Sequence, residues 1–157
     1  MKSEKAEVGE VRQLKTDKAE VGEVKRKKVE VQEIGQRTLQ FALRIVRLCQ
    51  VLDEKPGVTR TLSKQILRSG TSVGANVREA QAGQSKPDFI SKNAIALKEA
   101  HETGYWLELL SEANLVKPEL VADLREECNQ LVAILTTIVK RARERSEKEK
   151  GRREKRR

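Results

Sequence analysis

Aromatic side chains are nearly missing from this chain, which has one Trp, one Tyr and two Phe in 157 residues. Any core must therefore be aliphatic. A base-stacking platform, which needs several exposed rings, has little to be built from. There are three prolines, so few positions interrupt a helix. The single histidine, His101, excludes motifs that need two: in a zinc H-E-x-x-H the fourth residue on would be histidine, but it is Tyr105. A di-iron bundle with E-x-x-H on two helices is excluded in the same way. The two cysteines, Cys49 and Cys128, form no C-x-x-C and sit at apolar positions of helical patterns. They read as buried, reduced thiols. No apolar run approaches the roughly 18 residues that span a bilayer, and "MKSEKAEVGE" has no hydrophobic signal region. The expected location is the cytoplasm, with no membrane partner. Catalytic residues, metal and cofactor: none is expected.

What the chain has is charge. Charged residues make up 36% and the net charge is +9, unevenly placed. Residues 1–37 hold ten basic and eight acidic side chains, residues 38–140 hold 13 and 12, and residues 141–157 hold ten and four. The middle is almost neutral and the C-terminal segment carries most of the excess. Such a segment suits either a polyanion or a solvated helix end.

The N-terminal region is repetitive: "KAEVGEV" at 5–11 recurs at 18–24, and "KVEVQEI" at 28–34 is a looser copy. The 13-residue interval turns a helix by about 220° beyond whole turns. Successive valines would face different sides, and on a strand Val8 and Val11 would point to opposite faces. With no coherent apolar stripe, residues 1–35 are expected to be a largely disordered arm.

From Thr38 the pattern is helical. A first helix is expected over about 36–53, with Leu39, Ala42, Val46, Cys49 and Leu52 as its stripe and Phe41, Ile45 and Leu48 beside it. Pro56 and Gly57 end it. A second helix starts near Thr59 or Thr61 and carries Leu62, Ile66, Val73, Val77 and Ala80. Ser85 as cap, Pro87 in the first turn and Asp88 three residues after the cap open a third helix. It runs to about Glu112 with Phe89, Ala96, Ala100, Leu107 and Leu110 inward. Pro118 opens a fourth, with the heptad Val121, Leu124, Cys128, Leu131, Leu135, Ile138, Ala142. Four helices joined by short loops predict an all-α, antiparallel up-down four-helix bundle over 36–145, flanked by the flexible arm and a basic tail at 146–157.

The stretch "RSGTSVGANVREAQAG" (68–83) raises the possibility of a phosphate loop. It lacks the G-x-x-x-x-G-K-[ST] spacing, and no strand precedes it as a dinucleotide G-x-G-x-x-G would require. It reads instead as helix with a thin face. Gly70 and Gly74, four apart, each cost about 1 kcal/mol relative to alanine and imply close approach of a neighbouring helix. Around it, Asn76 and Glu79 are three apart, as are Glu99 and Glu102, so each pair shares a face. With Tyr105 they are candidates for a structural polar network, with a carboxylate metal cluster as the alternative. Trp106 reads as packing.

The pieces "TSVGANVREA", "SKPDFISK" and "IALKEAHETGYWLELL", followed by the last heptad, resemble the small proteins encoded by intervening sequences of bacterial 23S rRNA genes. Accessory variability proteins of diversity-generating retroelements are similar to these. The resemblance covers about residues 35–142. It implies a four-helix bundle, recurrence of Asn76, Glu79, Glu99 and Glu102 in the family, assembly as a homo-oligomer (a pentamer), RNA or other nucleic-acid binding, and for the retroelement type a reverse transcriptase partner. The expected function is a non-enzymatic adaptor binding RNA or a nucleic-acid–protein complex, with a protein-interaction scaffold as the alternative. Candidate nucleic-acid contacts are Arg141, Arg143, Arg145, Lys148, Lys150, Arg152, Arg153, Lys155, Arg156 and Arg157, with Arg68, Arg78, Lys92 and Lys98 on the second and third helices.

Overall fold

The structure, a computed structural model, describes residues 33–156. Residues 1–32 of the arm expected over 1–35, and Arg157, lie outside the described residues, whereas residues 33–35 are helical and belong to the first helix. Helix α1 covers residues 33–53, α2 Val58–Ala82, α3 Lys86–Glu112 and α4 Glu119–Glu154. Among the described residues there is no strand, and no helix is long and apolar enough to cross a membrane.

The turns follow the local chemistry. Gly57 sits at φ 82°, a conformation that L side chains rarely adopt, and serves as the N-cap of α2. Arg60 reaches back from the first turn of α2 and donates to the Asp53 carbonyl from Nε (3.0 Å) and Nη2 (2.8 Å), satisfying an orphan acceptor at the end of α1. Ser85 caps α3 and accepts from the Asp88 amide at 3.2 Å, with proline in the first turn, as its sequence pattern predicts. After α3 the chain turns through Asn114 at φ 54°, and the Leu115 amide returns to the Leu110 carbonyl at 3.0 Å. Lys55 Nζ donates to the Leu115 carbonyl at 3.2 Å, tying the first and third turns together at one end.

Contacts link α1 to α2, α2 to α3, α3 to α4 and α4 back to α1. Cys49 and Ser63 exchange side-chain-to-carbonyl contacts of 3.4 and 3.3 Å between α1 and α2. The Thr103 and Ser69 hydroxyls lie within hydrogen-bonding distance, 2.9 Å apart, between α3 and α2. The Cys128 thiol donates to the Ala100 carbonyl at 3.1 Å between α4 and α3. Arg37 closes the ring, forking onto Glu127 of α4 at 2.7 and 2.9 Å and also donating to Gln130. The large apolar side chains of the shared core are aliphatic apart from Phe41: Ile45, Leu52, Ile66, Val73, Val77, Leu107, Leu110, Leu131 and Leu135 are all essentially inaccessible.

Three details differ from the sequence expectation. Helix α1 turns Thr38, Phe41, Ile45, Cys49 and Leu52 inward, while Leu39 (42% exposed) and Val46 (36%) face out. Apolar residues nearly encircle this helix, so its own pattern does not fix its rotation. The glycine face of α2 and the Arg37–Glu127 fork do. In α4 the buried row continues from Leu135 to Val139, and Ile138 and Ala142 are only half-buried. A straight helix drifts from a strict heptad by about 20° per repeat, which moves the core position on by one residue. In α3, Phe89 is half-buried, while Asn93, Thr103 and Ser111 occupy core positions. Each donates to the carbonyl four residues back (2.9, 2.8 and 3.3 Å), so each buried side chain finds a partner within its own helix.

Candidate nucleic-acid interface and the helix faces around it

The stretch that raised a phosphate-loop reading is helical from Arg68 to Ala82. A Cβ added at Gly70 would lie 2.8 Å from both Cγ atoms of Ile45, and one at Gly74 would lie 3.3 Å from the Thr38 carbonyl oxygen. Both distances are short because α1 lies directly against this face of α2.

The polar candidates disperse into separate contacts. Asn76 Nδ2 donates to its own helix at the Ser72 carbonyl, 2.9 Å away. Glu79 pairs with Lys92 across α2 and α3 at 2.5 Å, and this contact raises the lysine's pKa. Glu102 accepts from Trp106 Nε1 at 3.2 Å. Tyr105 is 56% exposed and meets Trp106 edge-on, with ring centroids 4.9 Å apart. One carboxylate oxygen of Glu99 is buried without a hydrogen-bond partner. These five residues therefore form no single network: local i,i+4 contacts claim Asn76 and Glu102, and a cross-helix pair claims Glu79. Among the described residues no group of three His, Cys, Asp or Glu could hold a metal ion. His101 is exposed on α3.

The basic segment is not a separate element. Helix α4 continues through it to Glu154, so residues 146–154 are further turns of the same rod. Arg141, Arg143, Arg145, Lys148, Lys150, Arg152, Arg153, Lys155 and Arg156 are all exposed. The segment lies beside the start of α3, where Lys86 pairs with Glu149 and Arg145 Nε approaches the same carboxylate at 3.5 Å. Lys86 first, with Arg145 adding to it, holds the Glu149 carboxyl below its usual range. Arg68, Arg78 and Lys98 are exposed at other places on the bundle, and Lys92 is held by Glu79.

A second face was not legible as a unit in the sequence. Leu39, Leu43 and Val46 of α1 lie 36–42% exposed, and Leu67 of α2 is 38% exposed. A shallow groove between the two helices is lined by Leu39, Ala42, Thr71, Gly74, Ala75 and Arg78. The sequence signal was the surplus of apolar residues in α1. The contribution of α2 is visible only once Thr71 and Ala75 are seen to line the same groove.

The thiols sit elsewhere. Burial pushes the Cys128 thiol from 9.0 up to about 11 and also raises Cys49. Both are expected to resist a thiol reagent at pH 8 until denaturant is added. The unfolded Cys128 thiol ionises near its ordinary value, so above it the unfolded state holds fewer protons than the native state. Stability should accordingly fall as pH rises from about 9 to 11, by at most about 3 kcal/mol from this group. Denaturant melts of Cys128→Ala across that range should lack this part of the decline; an identical pH slope would mean the thiol is not its source.

An all-α bundle with a basic helical extension defines the class. The 23S rRNA-intervening sequence protein family matches residues 30–137. The chain belongs to that family. A solved structure of a protein of unknown function from the S23 ribosomal protein family of Bacteroides thetaiotaomicron is similar at 45% identity and a TM-score of 0.64, covering 68% of this chain and 98% of that one. Comparison with curated proteins finds no significant match.

Proposed function

We propose that this protein is a non-enzymatic, homo-oligomeric adaptor of the cytoplasm that binds RNA, or an RNA–protein complex, through the basic end of α4. The observation that carries the reading is the continuation of α4 into an exposed segment rich in Arg and Lys, on a bundle that is otherwise nearly neutral. Membership of a family described by a 23S rRNA intervening sequence supports it. The apolar α1/α2 face supports self-assembly, because one bundle core needs only one stripe per helix. Five copies would bring about +30 of tail charge together, a multivalent attraction for a polyanion even where each tail binds weakly.

The test is a fluorescence-anisotropy titration with RNA at about 150 mM salt, where the screening length is about 8 Å. Full-length protein is expected to bind, with affinity falling steeply as salt rises. Deleting residues 146–157 should lower both affinity and the salt slope. Equal binding by both forms would move the site elsewhere, and no binding by either would leave a protein-interaction scaffold as the reading.

A further inference from the structure

The last turns of α4 sort their charges by side. At about 100° per residue, Arg141, Arg145, Lys148 and Arg152 fall within an arc of about 60° on the side of the helix opposite Val139. Lys155 continues the line at the C-cap, and all five are exposed. No acidic residue falls within the arc. Glu144, Glu147 and Glu154 lie on one flank, and Glu149, on the other, is engaged by Lys86. Among the described residues, Arg141, Lys148 and Arg152 make no ion pair, whereas Arg145 has Glu149 at 3.5 Å. A helix end that is only solvated interleaves its signs, because i,i+4 pairs of opposite charge stabilise it. This segment holds such spacings too, with Glu147 four after Arg143 and Glu154 four after Lys150, but it gathers Arg141, Arg145, Lys148 and Arg152 on one side, three of them without an ion pair among the described residues.

The row also lies on one continuous helix and is regularly stepped as far as Arg152. Arg141 to Arg152 spans about 17 Å along the axis, in steps of about 4.5–6 Å. One strand of a duplex presents a phosphate about every 3.4 Å of its axis, so the row spans about five phosphates. Only arginine and lysine occupy it. There is no ring to stack on an unpaired base and no amide or hydroxyl to read a base edge.

We infer that this row binds the phosphate backbone of one strand of a nucleic-acid duplex, in a fixed register and without reading sequence. The inference rests on the proposed nucleic-acid function and narrows it: five cations on one side of α4 make the contact, and the other basic residues of the segment do not.

Two triple variants of equal charge separate a row from a diffuse charge cloud. The first is Arg141→Gln/Lys148→Gln/Arg152→Gln; the second is Lys140→Gln/Arg143→Gln/Lys150→Gln. The full chain is titrated against a labelled 20-base-pair RNA of arbitrary sequence, and circular dichroism checks that helicity is retained. At about 100 mM salt the first triple should bind about tenfold more weakly or worse, with the log–log salt slope reduced by about 2.7 for three lost phosphate contacts. The second should stay within about threefold of the unmodified chain, its loss coming only from the general field. Equal losses in both triples would overturn the row while leaving nucleic-acid binding in place. Preference for a single strand over the duplex would overturn the duplex assignment. Failure of the unmodified chain to bind at any salt would overturn the proposed function itself, and the row with it.

Discussion

Replacing Gly70 with leucine is expected to destabilise the bundle by about 3 kcal/mol, at the upper end of what overpacking a close helix contact costs. At an open helical site the change would have the opposite sign, since losing a mid-helix glycine gains up to about 1 kcal/mol. The sign therefore reports the contact. Even a single Cβ at Gly70 would meet the two Cγ atoms of Ile45 at 2.8 Å. Ile45 is itself fully buried and is branched at its Cβ, so it has little room to yield. Gly74 is more tolerant: its Cβ would meet the Thr38 carbonyl oxygen at 3.3 Å, and Gly74→Ala should be close to neutral. Gly151, where an added Cβ would meet nothing within 4 Å, supplies the open-site control. Denaturant melts of the three variants check the order. The Gly70→Leu loss corresponds to roughly 6–12 °C in the melting temperature of a domain this size. A Gly70→Leu protein as stable as the parent would mean that α1 does not lie where the structure puts it.

The second large effect concerns assembly. Under the proposed function, the parent chain should scatter light as a multiple of 17.8 kDa at micromolar concentration. Leu39→Glu/Leu43→Glu/Val46→Glu should reduce it to single chains. These three side chains are already 36–42% exposed in one bundle, so charging them should cost the isolated fold little. In an interface each carboxylate would be stranded away from water, a cost of several kcal/mol per site. The expected outcome is loss of the assembly with helicity retained. A parent chain of 17.8 kDa would sink the oligomer, and a triple variant with unchanged oligomeric mass would sink this face as its interface.

How much of this could be read in advance follows from where each feature's physics lies. Helix boundaries are set locally, and they were legible. Ser85, Pro87 and Asp88 cap and start α3 by contacts within one turn. Gly57 supplies the positive φ that its turn needs, and Pro118 marks the start of α4. The glycine pair was legible as a close contact because glycines in mid-helix are costly unless something approaches them. The aliphatic core followed from the near absence of rings.

What the sequence could not decide was rotation and partnership. Leu39 and Val46 have the same apolar credentials as Phe41 and Ile45, and only the placement of α1 against Gly70 and Gly74 of α2 settles which of them turns inward. Asn93, Thr103 and Ser111 look like surface residues by type, but they are buried because the carbonyl one turn back accepts their donor. Glu79 and Glu102 share a plausible network on paper and find different partners, Lys92 and Trp106, in space. The basic segment's composition fits a loose tail or a helix equally well. Its neighbour decides: Lys86 at the start of α3 engages Glu149, and α4 runs on to Glu154 beside it. Local backbone chemistry and composition thus determined the number, class and ends of the helices. Which face of each turns inward, and which charges stand in a row, depended on contacts between residues far apart in the chain, and only the tertiary structure supplies those.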